Sequence, residues 1–173
     1  MKNPVYILQE EHLLLTGAIE KARQIQNIQD NDLYHTLMHD VILFFRNFNE
    51  ICHFPKEDKI LFPLLQGRTQ KITAAFIDEM CNSHEDLEQF ISEIVDAHVL
   101  YDYRTVRLAM YKYLQELEEQ IETEERELLS IADALLSVEE SDVAYHEFDR
   151  HDARHGVITT IKNSYHKIAG HNA

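Results

Sequence analysis

The strongest constraint on this chain is a set of long apolar stripes whose residues recur every three or four positions. One stripe occupies Val5–Ala22 and another occupies Ile77–His98. This spacing is typical of the core-facing side of an amphipathic α-helix. Each stripe holds a histidine at mid-length, His12 in the first and His84 in the second. The pattern therefore predicts polar groups inside the core of a helical protein.

Two further segments place ionisable side chains on such faces. In the stripe Val106–Ile131, Glu124 falls where an aliphatic residue would normally pack. An unpartnered buried carboxylate costs on the order of several kcal/mol, so a cation or a proton must offset it. In the remaining long segment, His53 and Glu57 lie one helical turn apart and share a face. Together these residues predict a metal site inside a helical bundle.

The positions of the polar residues along the chain predict that they meet at one level. Antiparallel helices joined by a short turn place residues that are equidistant from the turn side by side. The midpoint between His53 and His84 falls within the segment 66–69, which holds a helix-stopping glycine and an N-cap threonine. The midpoints for the other helix pairs fall in the predicted turn at 100–103, or a few residues past the polar stretch 27–32.

Caps and helix breakers predict the limits of the helices. Asn3 followed by Pro4 is an N-cap with proline at the first helical position. Ser137 with Glu140 is a capping-box signature for a shorter fifth helix. The predicted helices run from 3 to about 26, from 30–32 to about 65, from about 69 to 97, from about 103 to 136, onward from 137, and from 157 to 168.

Within the second helix, Pro55 marks a predicted break. The apolar face upstream of it, in the range 34–52, is about a third of a turn out of phase with the face of His53 and Glu57, at about 3.6 residues per turn. Proline removes a backbone donor and clashes with the preceding turn of a helix. We therefore predict a kink or bulge at Pro55 that rotates the histidine and the glutamate inward.

These elements predict an all-α fold, an up-down-up-down four-helix bundle over residues 1–137 with a short C-terminal helical extension, 138–173, packed on the same domain. The low content of helix breakers, 4 Gly and 3 Pro, fits this class. The net charge of −15 argues against nucleic acid and anionic membranes as partners. There is neither an apolar run of about 20 residues nor a hydrophobic signal region, so we expect a cytoplasmic protein.

The ligand types indicate the class of metal. Imidazole mixed with carboxylate suits iron, manganese or zinc, whereas calcium and magnesium prefer oxygen ligands alone. Convergence at one level favours a metal site over separate hydrogen-bonded core residues. The candidate ligands are His12, His53, Glu57, His84 and Glu124, with Gln120 as a further candidate.

A second group of histidines also shares a predicted level. His39 and His98 are equidistant from the turn at 66–69, and His35 lies one helical turn from His39. A second metal site at the other end of the bundle is one interpretation. These stripes lack carboxylates, however, so the favoured interpretation is histidines at the surface or at helix ends.

The segments around the candidate ligands resemble the hemerythrin-like family, bacterial proteins with an HHE cation-binding domain. The matching segments are "EEHLLL", "HFPKEDKILFP", "NSHEDL" and "QIETEERELL", and "LSVEESDVAYHEFDRHDARHG" resembles the C-terminal extension of some members. The resemblance implies a non-haem di-iron centre. It would place His12 and His53 on one iron and His84 on the other, with Glu57 and Glu124 bridging the two.

Gln120 departs from the family pattern, which has histidine four residues before the last glutamate. A neutral amide oxygen is a weaker iron ligand than imidazole. Occupancy could then fall to one ion, of iron or another transition metal, or the open position could bind a small molecule. Glu11 and Glu88 are candidates to compensate, although they are predicted as solvated flanking residues.

The leading functional hypothesis is a small iron protein that binds or senses O2, NO, peroxide or iron itself, with a gaseous or peroxide ligand as its partner. One alternative is a metal-dependent oxidase or peroxidase, so whether the protein is an enzyme stays open. Another is a metal-free interaction or phosphotransfer bundle with His53 as phosphate carrier, which Glu57 would disfavour by repelling phosphate. A protein partner or a homodimer also stays open. A plain structural bundle leaves Glu124 unexplained.

Overall fold

The computed structural model describes residues 3–66, 71–155 and 157–170, which are almost entirely helical and contain no strand. The fold is therefore all-α, as predicted. The predicted turn residues 67–69 lie outside the described residues, whereas the turn at 100–103 joins two helices as expected. The helices are α1 (Pro4–Gln26), α2 (31–66), α3 (Lys71–Val99), α4 (103–135), α5 (Val138–His155) and α6 (Val157–Ala169).

Side-chain caps confirm the predicted helix starts. The side chains of Asn3 and Asp30 each accept a hydrogen bond of 2.9 Å from a backbone N–H in the first turn of α1 and α2. Ser137 and Glu140 form the predicted capping box, because the N–H of Ser137 donates to Glu140 Oε2 at 2.9 Å and the N–H of Glu140 donates to Ser137 Oγ at 3.3 Å. These bonds satisfy backbone donors that a helix cannot pair internally.

The predicted distortion at Pro55 is confirmed and takes the form of π-helix. Two π-helical segments, Arg46–His53 and Glu57–Leu61, flank a short α-helical turn, Phe54–Lys56, inside the otherwise α-helical α2. Each wider turn changes the angular phase of the residues that follow. The apolar residues before Pro55 and the pair His53 and Glu57 can therefore point into the same core. A third π-helical segment, Glu124–Leu128 in α4, has no proline and was not predicted.

The apolar core is divided in two by a polar layer. In α1, Leu8 belongs to one cluster of buried apolar side chains and Leu15 to the other, with buried His12 between them. His84 in α3 and Glu124 in α4 likewise lie between a residue of one apolar cluster and a residue of the other. The layer is thus closed above and below by packed hydrocarbon.

The C-terminal helices α5 and α6 pack against α1 and α2. Phe148 and Ile168 are fully buried. Phe148 belongs to the apolar cluster that contains Leu8, and Ile168 belongs to the cluster that contains Leu15. Gly17 of α1 permits a close approach, since a Cβ there would lie 2.5 Å from the hydroxyl oxygen of Tyr165. Over the described ranges, none of the helices has the length and apolar character needed to cross a membrane.

Replacing Phe148 with alanine tests whether the extension and the bundle unfold as one unit. We expect Phe148→Ala to lower the free energy of unfolding by about 3 to 5 kcal/mol, because a buried phenyl ring is lost from a core shared with the bundle. Urea titration followed by far-ultraviolet circular dichroism measures the change. Val143→Ala is the matched control, since Val143 lies on the same helix and is 54% exposed. Equal effects of the two variants would contradict a shared core.

Candidate metal centre

Four predicted ligands meet in the polar layer. His12, His53, Glu57 and Glu124 each offer one ligand atom, and these four atoms lie within 4.8 Å of one another. The four side chains come from three different helices and all are buried. Metal–ligand distances of about 2.0 to 2.2 Å place two donors of one ion roughly 3 to 4 Å apart, so a small inward shift of the side chains would let these atoms share an ion.

His84 completes the set that the sequence predicts. Its Nε2 lies 3.4 Å from Glu57 Oε2 and 3.6 Å from Glu124 Oε1. Glu57 Oε2 is also 3.7 Å from His53 Nε2, and Glu124 Oε2 is 3.2 Å from His12 Nε2. Each glutamate therefore lies between His84 on one side and one of the other two histidines on the opposite side.

Each of the three histidines has a second carboxylate on its far nitrogen. The Nδ1 atom is bonded to a carboxylate oxygen, which leaves Nε2 pointing at Glu57 or Glu124. Such a bond fixes the tautomer with the proton on Nδ1 and the lone pair on Nε2, the arrangement found around metal-bound histidine. The pairs are His12 with Glu125 at 2.7 Å, His53 with Glu11 at 2.9 Å and His84 with Asp58 at 2.8 Å.

These three supporting carboxylates were missed by the sequence analysis. Glu11 was predicted as a solvated flanking residue and is in fact buried, with 8% of its surface exposed. Glu125 and Asp58 were not among the candidate residues. A signal was present, since each of the three directly adjoins a candidate ligand in the sequence, yet supports a histidine on another helix.

The atoms that face the centre of the cluster have no hydrogen-bond partner among the described residues. They are Nε2 of His12 and of His84, both oxygens of Glu57, and Oε2 of Glu124. Buried polar atoms are almost always paired, and an unpaired carboxylate is especially unfavourable. A cation at the centre would satisfy all of them, so the residues present fit a metal ion.

The electrostatics of the cluster favour positive charge. Burial alone would lower the pKa of His12, but the Glu124 carboxylate, whose Oε2 lies 3.2 Å from His12 Nε2, raises the pKa to about 9. Burial would raise the pKa of Glu124, but its contacts with His12 and His84 lower that pKa well below its usual range. Protons on His12 and His84 thus offset the charge of Glu124 when no ion does. An ion that binds the imidazoles must displace those protons.

Gln120 supports Glu124 in this structure. Its side-chain nitrogen donates to Glu124 Oε1 at 2.8 Å, and its side-chain oxygen accepts from Ser83 Oγ at 2.9 Å. An amide nitrogen has no lone pair to offer a metal, and the amide oxygen is engaged by Ser83. In this orientation both polar atoms of the Gln120 side chain are hydrogen-bonded, and the side chain holds the candidate ligand Glu124 in place.

A buried lysine connects the cluster to the C-terminal extension. Lys56 is fully buried, and its Nζ bonds Glu11, which in turn bonds His53. The same Nζ lies 2.8 Å from Asp152 Oδ1 on α5 and 3.4 Å from Cys52 Sγ. A continuous chain of charged contacts therefore runs from α5 to the histidine.

Aromatic side chains pack against the imidazoles of the cluster. The ring of Phe54 stacks on His84 with centroids 4.0 Å apart and an interplanar angle of 15°. Phe62 lies 6.0 Å from the same imidazole, and Phe48 lies 6.0 Å from His53, measured between ring centroids. These rings restrict the rotation of the two imidazoles.

The geometry defines a class of protein, a helical bundle with a buried histidine and carboxylate site for a cation. The family model described as Hemerythrin HHE cation binding domain matches residues 3–132. The chain therefore belongs to this family, and α5 and α6 lie beyond the matched range. Comparison with curated proteins and with solved structures gave no significant match.

Removing the charge of Lys56 tests the chain of contacts. We expect Lys56→Met to lower the free energy of unfolding by about 3 to 5 kcal/mol, because Glu11 and Asp152 would be left buried without a counter-charge. Chemical denaturation of the metal-free protein measures it. Lys59→Met is the control, since Lys59 is an exposed neighbour on the same helix. An effect no larger than that of the control would show that Lys56 carries no structural charge balance.

Proposed function

We propose that this protein binds iron in the polar layer, as two ions, and uses the centre to bind or sense a small ligand such as O2, NO or peroxide. The observation that carries the proposal is the arrangement of three Nε2 atoms around two fully buried glutamates, with a supporting carboxylate behind every histidine. A mixed imidazole and carboxylate donor set suits iron. Iron, when bound, supplies redox chemistry and open coordination positions.

The distances support a division of the ligands into two halves. His12 and His53 would hold one ion and His84 the other. Glu57 Oε2 lies 3.7 Å from His53 Nε2 and 3.4 Å from His84 Nε2, so this carboxylate is within reach of both halves. Glu124 directs Oε2 to His12 and Oε1 to His84, at 3.2 and 3.6 Å from their Nε2 atoms. Both glutamates are therefore suited to bridge.

The half that contains His84 has fewer protein ligands. Besides the two shared carboxylates it has one imidazole, because the Gln120 oxygen accepts from Ser83 rather than facing the centre. Iron commonly accepts five or six donors, so this half would keep open positions. We infer that the small ligand binds there, against the walls formed by Phe54 and the buried leucines Leu87 and Leu117.

Binding or sensing is favoured over phosphotransfer by the environment of His53. Only 1% of its surface is exposed, and its Nδ1 is bonded to Glu11. A phosphate carrier must reach a partner protein, and the neighbouring carboxylates would repel phosphate. We place the protein in the cytoplasm, whose reducing environment fits its two free cysteines, Cys52 and Cys81.

Removing a bridging carboxylate tests the proposed ligand set. We expect Glu124→Ala to weaken iron binding by at least about tenfold, since even the loss of an outer partner of a ligand typically costs that much. Iron per chain after anaerobic reconstitution and desalting is the measurement. Glu122→Ala is the control, because Glu122 is exposed on the same helix. Equal iron in both variants would remove Glu124 from the ligand set.

Restoring an imidazole at position 120 tests the half with open positions. We expect Gln120→His to raise the affinity for the second ion by about 10- to 100-fold, because a nitrogen ligand replaces an amide that faces away. Iron titration followed by visible absorption measures the stoichiometry. Gln115→His adds the same side chain at an exposed position of α4. If it has the same effect, or neither variant changes the second ion, the assignment of this half is wrong.

A further inference from the structure

A second group of histidines lies far from the polar layer. His35 and His39 are one turn apart on α2, and His98 is at the end of α3. The ring centroids of His35 and His98 are 3.9 Å apart, and those of His39 and His98 are 5.6 Å apart. Fourteen residues of helix, at about 1.5 Å each, separate His39 from His53 by roughly 21 Å. The three imidazoles thus form a cluster of their own, here called the histidine triplet.

The interior of the triplet contains unpaired polar atoms. His39 is exposed and His98 lies in the last turn of α3, as predicted, but only 6% of the surface of His98 is exposed. Both ring nitrogens of His98 and Nδ1 of His35 are buried without a hydrogen-bond partner in the described part of the chain. Leaving such a buried group unpaired is unfavourable. The three histidines of the polar layer, by contrast, all have carboxylate partners on Nδ1.

The charges around the triplet keep its imidazoles available as ligands. Burial and the neighbouring His35 and His39 lower the pKa of His98 to about 4. This imidazole is therefore neutral at neutral pH and keeps a lone pair. The protein as a whole carries a net charge of −15, which attracts cations.

The turn beside the triplet adopts a strained backbone. Tyr101 has a φ of 57°, in the left-handed region that a bulky residue rarely enters. Its ring stacks on His35 with centroids 4.3 Å apart and an interplanar angle of 13°. His35 is thereby held between Tyr101 and His98. Strain of this kind persists only where surrounding contacts fix it, and it is concentrated at functional sites.

We propose that His35, His39 and His98 form a second metal site, for a transition-metal ion of the zinc class. Imidazole-only donors suit Zn2+, Cu2+ and Ni2+, and three histidines with a solvent molecule complete the tetrahedral shell of zinc. His39 is exposed and provides the entry for the ion. The site is independent of the iron proposed for the polar layer.

Closure around the ion requires one ring to turn. The rings of His35 and His98 are nearly parallel, with an interplanar angle of 7°, so their lone pairs do not meet at one point before binding. The torsion that turns an imidazole about its Cβ–Cγ bond is soft, with broad minima. Pairing the buried nitrogens with the ion offsets the loss of the stacked arrangement.

Calorimetric titration with Zn2+ tests the site. We expect the wild-type protein to bind one Zn2+ more than its polar layer holds, and His98→Gln and His39→Gln to weaken that step by at least about tenfold. Because His39 is exposed, His39→Gln should not disturb folding, so a loss of Zn2+ binding in this variant cannot be attributed to misfolding. His166→Gln, at an exposed position of α6, is the control and should bind as the wild type does.

The variant Glu124→Ala separates the two proposals. It should lose the ions of the polar layer and keep the Zn2+ step of the triplet, whereas His98→Gln should do the reverse. If the wild type shows no step beyond the polar layer, or His39→Gln and His98→Gln retain that step unchanged, the second site does not exist. Failure of the iron proposal alone would leave the triplet step intact in the wild type, in Glu124→Ala and in His166→Gln.

Discussion

The rest of the structure depends on the burial of two carboxylates, Glu57 and Glu124, between two halves of an apolar core. Two negative charges fully removed from water are tolerated only beside positive charge. Three imidazoles face them, and each imidazole is oriented by a further carboxylate that the bundle places behind it. Without an ion, protons on His12 and His84 offset part of this charge. A multivalent cation suits the arrangement better, because it pairs the inward-facing atoms that have no hydrogen-bond partner among the described residues.

The same electrostatic demand explains how the C-terminal extension joins the domain. The supporting carboxylate Glu11 would itself be an uncompensated charge, and Lys56 compensates it. The lysine is fully buried and needs a further acceptor, which Asp152 on α5 provides. The extension therefore contributes both apolar packing and one charge to the surroundings of His53. A disturbance of α5 would reach that histidine through only two intervening side chains.

The sequence predicts well which residues meet in the polar layer, because His12, His84 and Glu124 each interrupt an apolar stripe. The supporting carboxylates Glu11, Asp58 and Glu125 are harder to predict. Each follows or precedes a ligand by one residue, which is a rotation of about 100° around the helix, and so resembles a solvated flank. Their partners are on neighbouring helices, and helix rotation is set by packing that periodicity does not determine. The π-helical segment that begins at Glu124 contains no proline, so the sequence offered no signal from which to predict it.

Iron in the polar layer can be measured as the metal content of protein purified without air, by mass spectrometry, together with the visible spectrum after exposure to air. We expect about two irons per chain and charge-transfer bands from a bridged pair of ions. Absence of any stoichiometric metal after reconstitution with iron would contradict this expectation, and would mean that protons alone balance Glu57 and Glu124.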